Sequence, residues 1–244
     1  TGLDSYRCGI TEVSAYRFQN GEPIEEFTTL VDPERAIPKE ISELTGITPD
    51  MVFGKPKIGE VLSDLFEFIG NDPIVGQNIG FDISFLEHAC RENGRIFPEY
   101  TIYDTLTLAK TFLFFLHRFN LTAISDYFGL ETEGAHRASV DTLNTGHVFR
   151  ELIYEAASTP FSIMQTICSV SSHIEFYNKL LYNNILQLGL STKEVNGLLK
   201  SEIEKPVYKH FYSHKCSSNT EFIPDETSEW FDEGGKISQA WPSF

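Results

Sequence analysis

Two short stretches hold the residue types that could do chemistry together. "GAHRASVDT" (134–142) gives His136, Arg137 and Asp141, and "QNIGFDISFL" gives Asp82. Asp82 follows a short predicted strand and enters a helix. His136 stands before a second predicted helix, with Asp141 in its first turns. At 3.6 residues per turn, positions five apart point about 140° away from each other. His136 and Asp141 therefore meet at one site only if the histidine is on the loop and the aspartate on the helix. That arrangement suits a mobile base beside a fixed metal ligand. An imidazole with an ordinary pKa of about 6.5 can take a proton near neutrality. The plain alternatives stay open at this point: an aspartate before a helix is commonly a cap, and His-x-x-x-x-Asp fits a solvated helix start.

The elements that must position these residues follow from local pattern. "CGITEVSAYRF" and "IEEFTTLV" are β-branched and aromatic, and Asn20-Gly21 between them signals a hairpin. In "DPERAIPKEISELTGITPDMV" the prolines punctuate short helical turns. "IGEVLSDLFEFIG" puts Val61, Leu62, Leu65, Phe66 and Ile69 on one helical face. "PIVGQN" is a short buried strand, and "ISFLEHACRENG" a helix ended by Gly94. A strand closing on Asp104 leads to helices in "TLAKTFLFF", "LTAISDYFGL" and "VDTLNTGHVFRELIYEAA". A strand meander, then alternating helix and strand, then helices, predicts an α/β domain with a mixed β-sheet. We place that domain at 1–157. Residues 158–244 form a mainly helical and irregular connector or partial second domain. The eight arginines all lie at or before Arg150, and "FSIMQTICSVSSHIEFYNKLLYNNILQLGL" reads as helical.

Composition narrows the function classes. The chain has 244 residues and a formal net charge of −16. That acidity argues against loose binding of nucleic acid by a basic patch. It leaves room for a metal-dependent site, because exposed charges are screened over about 8 Å and a bound cation presents positive charge to phosphate. The longest apolar burst, "TFLFFL" (111–116), is far shorter than the roughly 20 residues that span a bilayer, so no membrane partner is expected. Cys8, Cys90, Cys168 and Cys216 are widely spaced, without a CxxC pair. This argues against a zinc cluster or disulfide framework and fits the cytoplasm.

Taken in order, "NIGFD" and then "HRASVD" resemble the second and third motifs of the DEDDh-type 3′→5′ exonucleases, relatives of the proofreading epsilon subunit of DNA polymerase III. The likeness runs through "FTTLVDPERAIPKEISELTGITPDMV" and "FNLTAISDYFGLETEGAHRASVDT". It implies a ribonuclease H-like fold and hydrolysis of phosphodiesters at single-stranded DNA 3′ ends. Two divalent ions, Mg²⁺ or Mn²⁺, would shield the phosphate and stabilise the leaving group. By the resemblance Asp82 and Asp141 are metal ligands and His136 is the general base. Thr1, Gly2 and Leu3 would contact substrate, the leucine as a wedge against the terminal base. Thr45 of "ELTGI", Glu40 and Phe85 would flank the nucleotide. Phe85 fits an apolar core equally well, Asn78 a turn, and Arg137 either a phosphate or plain solvent.

The family's first motif, D-x-E-T-T-G-L, is matched here only from "TGLDS" onward. The expectation is therefore that this stretch lacks two acidic ligands, is nearly inert and folds loosely by itself, whereas a full-length parent is active. "TSEWFDEGGKISQAWPSF" (227–244) resembles the lead-in to the helicase core of DinG-type proteins, which makes a helicase on the same chain a candidate partner. Without a GxxxxGK[ST] motif, these residues themselves should not bind ATP. Two other readings remain: an RNA-trimming exonuclease of the same fold, and a non-catalytic nucleic-acid-binding or tethering module.

Overall fold

The structure, a computed structural model, describes residues 8–130, 137–174 and 176–188. The tail at 227–244, residues Thr1 to Leu3, and His136 lie outside the described residues. The chain divides into two compact units, Thr1–Phe149 and Arg150–Phe244.

The first elements described in the first unit are a hairpin, β1 (Glu12–Gln19) and β2 (Glu22–Leu30), paired antiparallel. Asn20 and Gly21 both take positive φ, 55° and 83°. A two-residue turn with that twist matches the strands it joins, and only glycine and asparagine adopt it cheaply. The proline-punctuated run folds as two short helices, α1 (Lys39–Thr45) and α2 (Pro49–Val52). Then comes α3 (Ile58–Ile69), whose Val61, Leu62 and Leu65 are buried as its spacing predicts. Its start is boxed: the Lys57 backbone N–H donates to Glu60 Oε2 at 2.9 Å.

The short strand β3 (Ile74–Gly76) pairs in parallel with β4 (Ile102–Asp104), and α4 (Gly80–Glu92) crosses between them. Leu62 of α3 and Ala89 and Cys90 of α4 form a buried cluster, with Phe66, Leu86 and Phe97 packed on it. After β4 come α5 (Thr105–Phe112), α6 (Leu121–Phe128) and the long α7 (Ala138–Ser158), within which the division between units falls. Among the described residues the antiparallel and the parallel pairing form two separate two-stranded sheets.

In the second unit the run expected to be helical is two helices, α8 (Phe161–Ser171) and α9 (Lys179–Leu188). They pack through buried Met164, Cys168, Tyr182 and Ile185, and Phe176 meets the Tyr182 ring edge-on at 5.4 Å. The break between them holds Asn178, fully buried. No helix among the described residues is long and apolar enough to cross a membrane.

Candidate active site

Asp82 stands in the first turn of α4, where a carboxylate meets the positive end of the helix dipole. The residue keeps solvent-exposed surface. Even so, the protein around the carboxyl removes enough water to push its pKa up to about 6, opposed by a hydrogen bond from its own backbone. Solvent access tempers that penalty, and a bound cation would reverse it. Phe81 and Phe85 flank Asp82, with ring centroids 5.0 Å apart, and Phe81 is partly exposed. Phe85 thus lies beside the aspartate, half-buried in a small aromatic pair.

The start of α4 is not capped by its own side chains: its N-cap is Ile79, with no side-chain hydrogen bond. The work falls to Asp104, buried at the end of β4. Its Oδ1 accepts from Asn78 N at 2.8 Å, and also from Ile79 N at 3.4 Å and Leu106 N at 3.3 Å. Its Oδ2 accepts from Thr107 N at 3.2 Å and Thr107 Oγ1 at 2.6 Å. One carboxyl group therefore caps α5 and fixes the turn into α4. Asn78 makes that turn possible with φ 58°, a left-handed conformation that asparagine tolerates. Thr105 completes the link, its hydroxyl lying 3.1 Å from Gly76 O and 2.5 Å from Gln77 Oε1. In the sequence Asp104 shows only as a strand end. The helix-start signal in "DTLT" was available, but the second bond, back to Asn78, has no local signature.

Asp141 occupies the first turn of α7, with its backbone N–H donating to Arg137 O at 3.0 Å. This helix start is held from β1. Glu12, with only 4% of its side chain exposed, accepts from Ala138 N at 2.9 Å and from Arg137 Nη2 at 2.7 Å. Arg137 is thereby paired to the Glu12 carboxylate, with 40% of its own side chain exposed. Further along, Phe18 of β1 packs against α7 so closely that a Cβ on Gly146 would come within 2.2 Å of its ring. His147 meets the same ring edge-on at 5.4 Å.

The remaining candidates are dispersed. Glu40 is exposed in the first turn of α1. Thr45 ends that helix, its hydroxyl donating to Ile41 O at 2.8 Å and accepting from Ile47 N at 3.2 Å. The fold gathers Asp82 and Phe85 on one turn and places Asp141 at the start of another helix. Among the described residues, no three His, Cys, Asp or Glu side chains cluster closely enough to grip a metal ion. The donor chemistry still suits a hard cation: Asp82 offers carboxylate oxygens, with no salt bridge and no hydrogen bond to another side chain among the described residues.

The family model described as Exonuclease (RNase_T) matches residues 1–149. The DNA polymerase III epsilon subunit of Aquifex aeolicus is 36% identical over 156 residues, covering 64% of this chain and 77% of that protein. A PolC-type DNA polymerase III of Clostridium perfringens is 35% identical over 150 residues, or 62% of this chain. The match spans only 10% of that polymerase's length. Among solved structures, the nuclease domain of 3′hExo, a DEDDh family member bound to rAMP, superposes with a TM-score of 0.52 at 18% identity. It covers 57% of this chain and 78% of that domain, and it shows the shared ribonuclease H-like fold. Matched over more than half its length, the chain belongs to the RNase_T exonuclease family.

Proposed function

We propose that the protein removes nucleotides from single-stranded DNA 3′ ends in the 3′→5′ direction, by phosphodiester hydrolysis. The observation that carries this reading is Asp82: an oxygen donor in the first turn of α4, its pKa raised by desolvation, in a chain of the exonuclease family. Asp82 and Asp141 would hold two divalent ions, Mg²⁺ or Mn²⁺, together with the family's acidic pair from the first motif. When bound, the ions supply charge stabilisation at the phosphate and at the leaving oxygen.

The chain's own residues divide the remaining work. Asp104 and Glu12 fix the helix starts that present the two aspartates. His136 takes the proton from the attacking water on an imidazole nitrogen. Leu3 wedges the terminal base, while Thr1, Gly2, Glu40, Thr45 and Phe85 position the terminal nucleotide. DNA is preferred to RNA because the epsilon subunit of a DNA polymerase is a relative over most of its own length. The cytoplasm is the setting this implies, and the 227–244 segment supports a helicase core on the same natural chain.

The test is digestion of a 5′-labelled single strand by the protein at its natural length in Mg²⁺, with DNA and RNA side by side. The expected product is a ladder shortening from the 3′ end, abolished by Asp82→Ala or Asp141→Ala. His136→Ala should slow it by about 10²–10⁴. Internal cuts, or full activity in Asp82→Ala, would refute the proposal.

A further inference from the structure

The chain carries 35 Asp and Glu against 19 Lys and Arg, yet no acid occurs from Thr105 to Ser125. The same stretch holds Lys110, His117 and Arg118 among four phenylalanines. All three basic side chains are exposed. Phe114 is 74% exposed, its ring edge-on to Phe115 at 5.8 Å.

Several other cations of the described residues are matched with acids: Arg17 with Glu25 and Asp72, Lys39 with Glu43, Lys57 with Glu34, Arg137 with Glu12, whereas Arg35 and Lys55 are not. Lys110 and Arg118 have no carboxylate partner among the described residues. The segment is also tied to the site. Gln77 Nε2 donates to Phe119 O at 2.8 Å, and Gln77 immediately precedes the Asn78 turn into α4. Arg118 is thus the chain neighbour of a residue bonded to the loop that delivers Asp82.

We propose that Lys110, Phe114, His117 and Arg118 form the surface along which the single strand runs as its 3′ end is digested. The inference rests on the nuclease reading and adds the path of the nucleotides upstream of the cut. Unpaired cations release counterions from phosphates, and an exposed aromatic ring stacks any base, so the combination binds single strands without regard to sequence. The net charge of −16 argues against overall attraction of nucleic acid, but screening over about 8 Å leaves a phosphate to feel mainly its immediate surroundings, and this stretch is locally free of acids. A partner protein would need acids to match this surface but would have no reason to meet it beside the α4 loop.

Fluorescence anisotropy of a labelled oligothymidylate of about 12 nucleotides, with the natural-length protein in EDTA, reads binding apart from turnover. Phe114→Ala should weaken binding about ten-fold and leave the salt dependence intact. Arg118→Gln and Lys110→Gln should each flatten the log–log salt slope by about 0.7. Lys179→Gln, in the second unit, is the control and should change nothing. In steady-state digestion, the rise in KM for Phe114→Ala and Arg118→Gln should be larger for the long strand than for a dinucleotide.

Unchanged affinity in all three variants, or no strand binding by the wild type, overturns the proposal. So does an equal KM rise at both lengths. Digestion that proceeds with none of these dependences leaves the nuclease standing and removes the surface. Strand binding that needs these residues but yields no cleavage does the reverse. Retention of the strand by the variants, with loss of capture of an acidic protein, would identify a protein-docking face instead.

Discussion

The two helices that carry the candidate aspartates begin in different ways. The start of α4 is fixed by Asp104, which gathers four backbone N–H groups and one hydroxyl and lies on the neighbouring parallel strand. The start of α7 is fixed by Glu12, from a strand far earlier in the chain, in partnership with the Arg137 guanidinium. One device is a buried knot of hydrogen bonds, the other an ion pair with one half in solvent, since the Arg137 side chain is 40% exposed. Both aspartates are therefore placed by carboxylates remote in sequence. The knot should be the stiffer and the more costly to lose.

Breaking the knot should have the largest effect. Asp104→Ala strands several buried N–H groups at about 1–3 kcal/mol each, so a loss of about 4 kcal/mol is expected by urea unfolding. That is a large share of the 5–15 kcal/mol typical of a domain. Asp104→Asn keeps one acceptor oxygen and should recover about half. Glu12→Ala leaves the α7 start and Arg137 without their acceptor, and about 2 kcal/mol should be lost. Because Arg137 can turn to water, this variant should remain folded, with Asp141 displaced and metal affinity reduced by about 10–100-fold.

A smaller effect should follow Gly146→Ala. The exchange favours the helix by about 1 kcal/mol. The added methyl, however, meets the Phe18 ring at 2.2 Å, and overpacking of about 1–3 kcal/mol should outweigh the gain. A rise in melting temperature would mean that Phe18 has room to move.

The smallest effect is the pH dependence set by Asp82. Burial raises Asp82 from an ordinary value of 3.8 to about 6, so the folded state holds this proton more tightly than the unfolded chain. Metal-free stability attributable to Asp82 is greatest below about pH 4 and falls as the pH rises through 6. Asp82→Asn should accordingly stabilise the metal-free protein by a degree or two at pH 7 and leave it unchanged at pH 4. Divalent binding should weaken as the pH drops below about 6, because the ion must displace that proton.

The same contrast separates what the sequence discloses from what it conceals. The hairpin was legible because Asn20-Gly21 dictates a turn locally, and α3 because Val61, Leu62 and Leu65 repeat at the helical period. Asp82 and Asp141 were legible as candidates through their motifs. Glu12 was not, because its partners Arg137 and Ala138 are fixed by folding and leave no periodic trace near residue 12. Asp104 was half legible, as the end of a strand before a helix. The break between α8 and α9 has no local signature, because 172–178 carries no proline or glycine and the buried Asn178 marks it only in three dimensions.

The most direct measurement is Mn²⁺ affinity of the natural-length protein, followed by electron paramagnetic resonance, for the wild type, Asp82→Asn, Asp141→Asn and the double variant. If both carboxylates serve one metal centre, either single change should lower affinity by about 100-fold or more, and the double variant should add little. Two independent, additive losses, or single variants that bind Mn²⁺ as the wild type does, would contradict a shared centre.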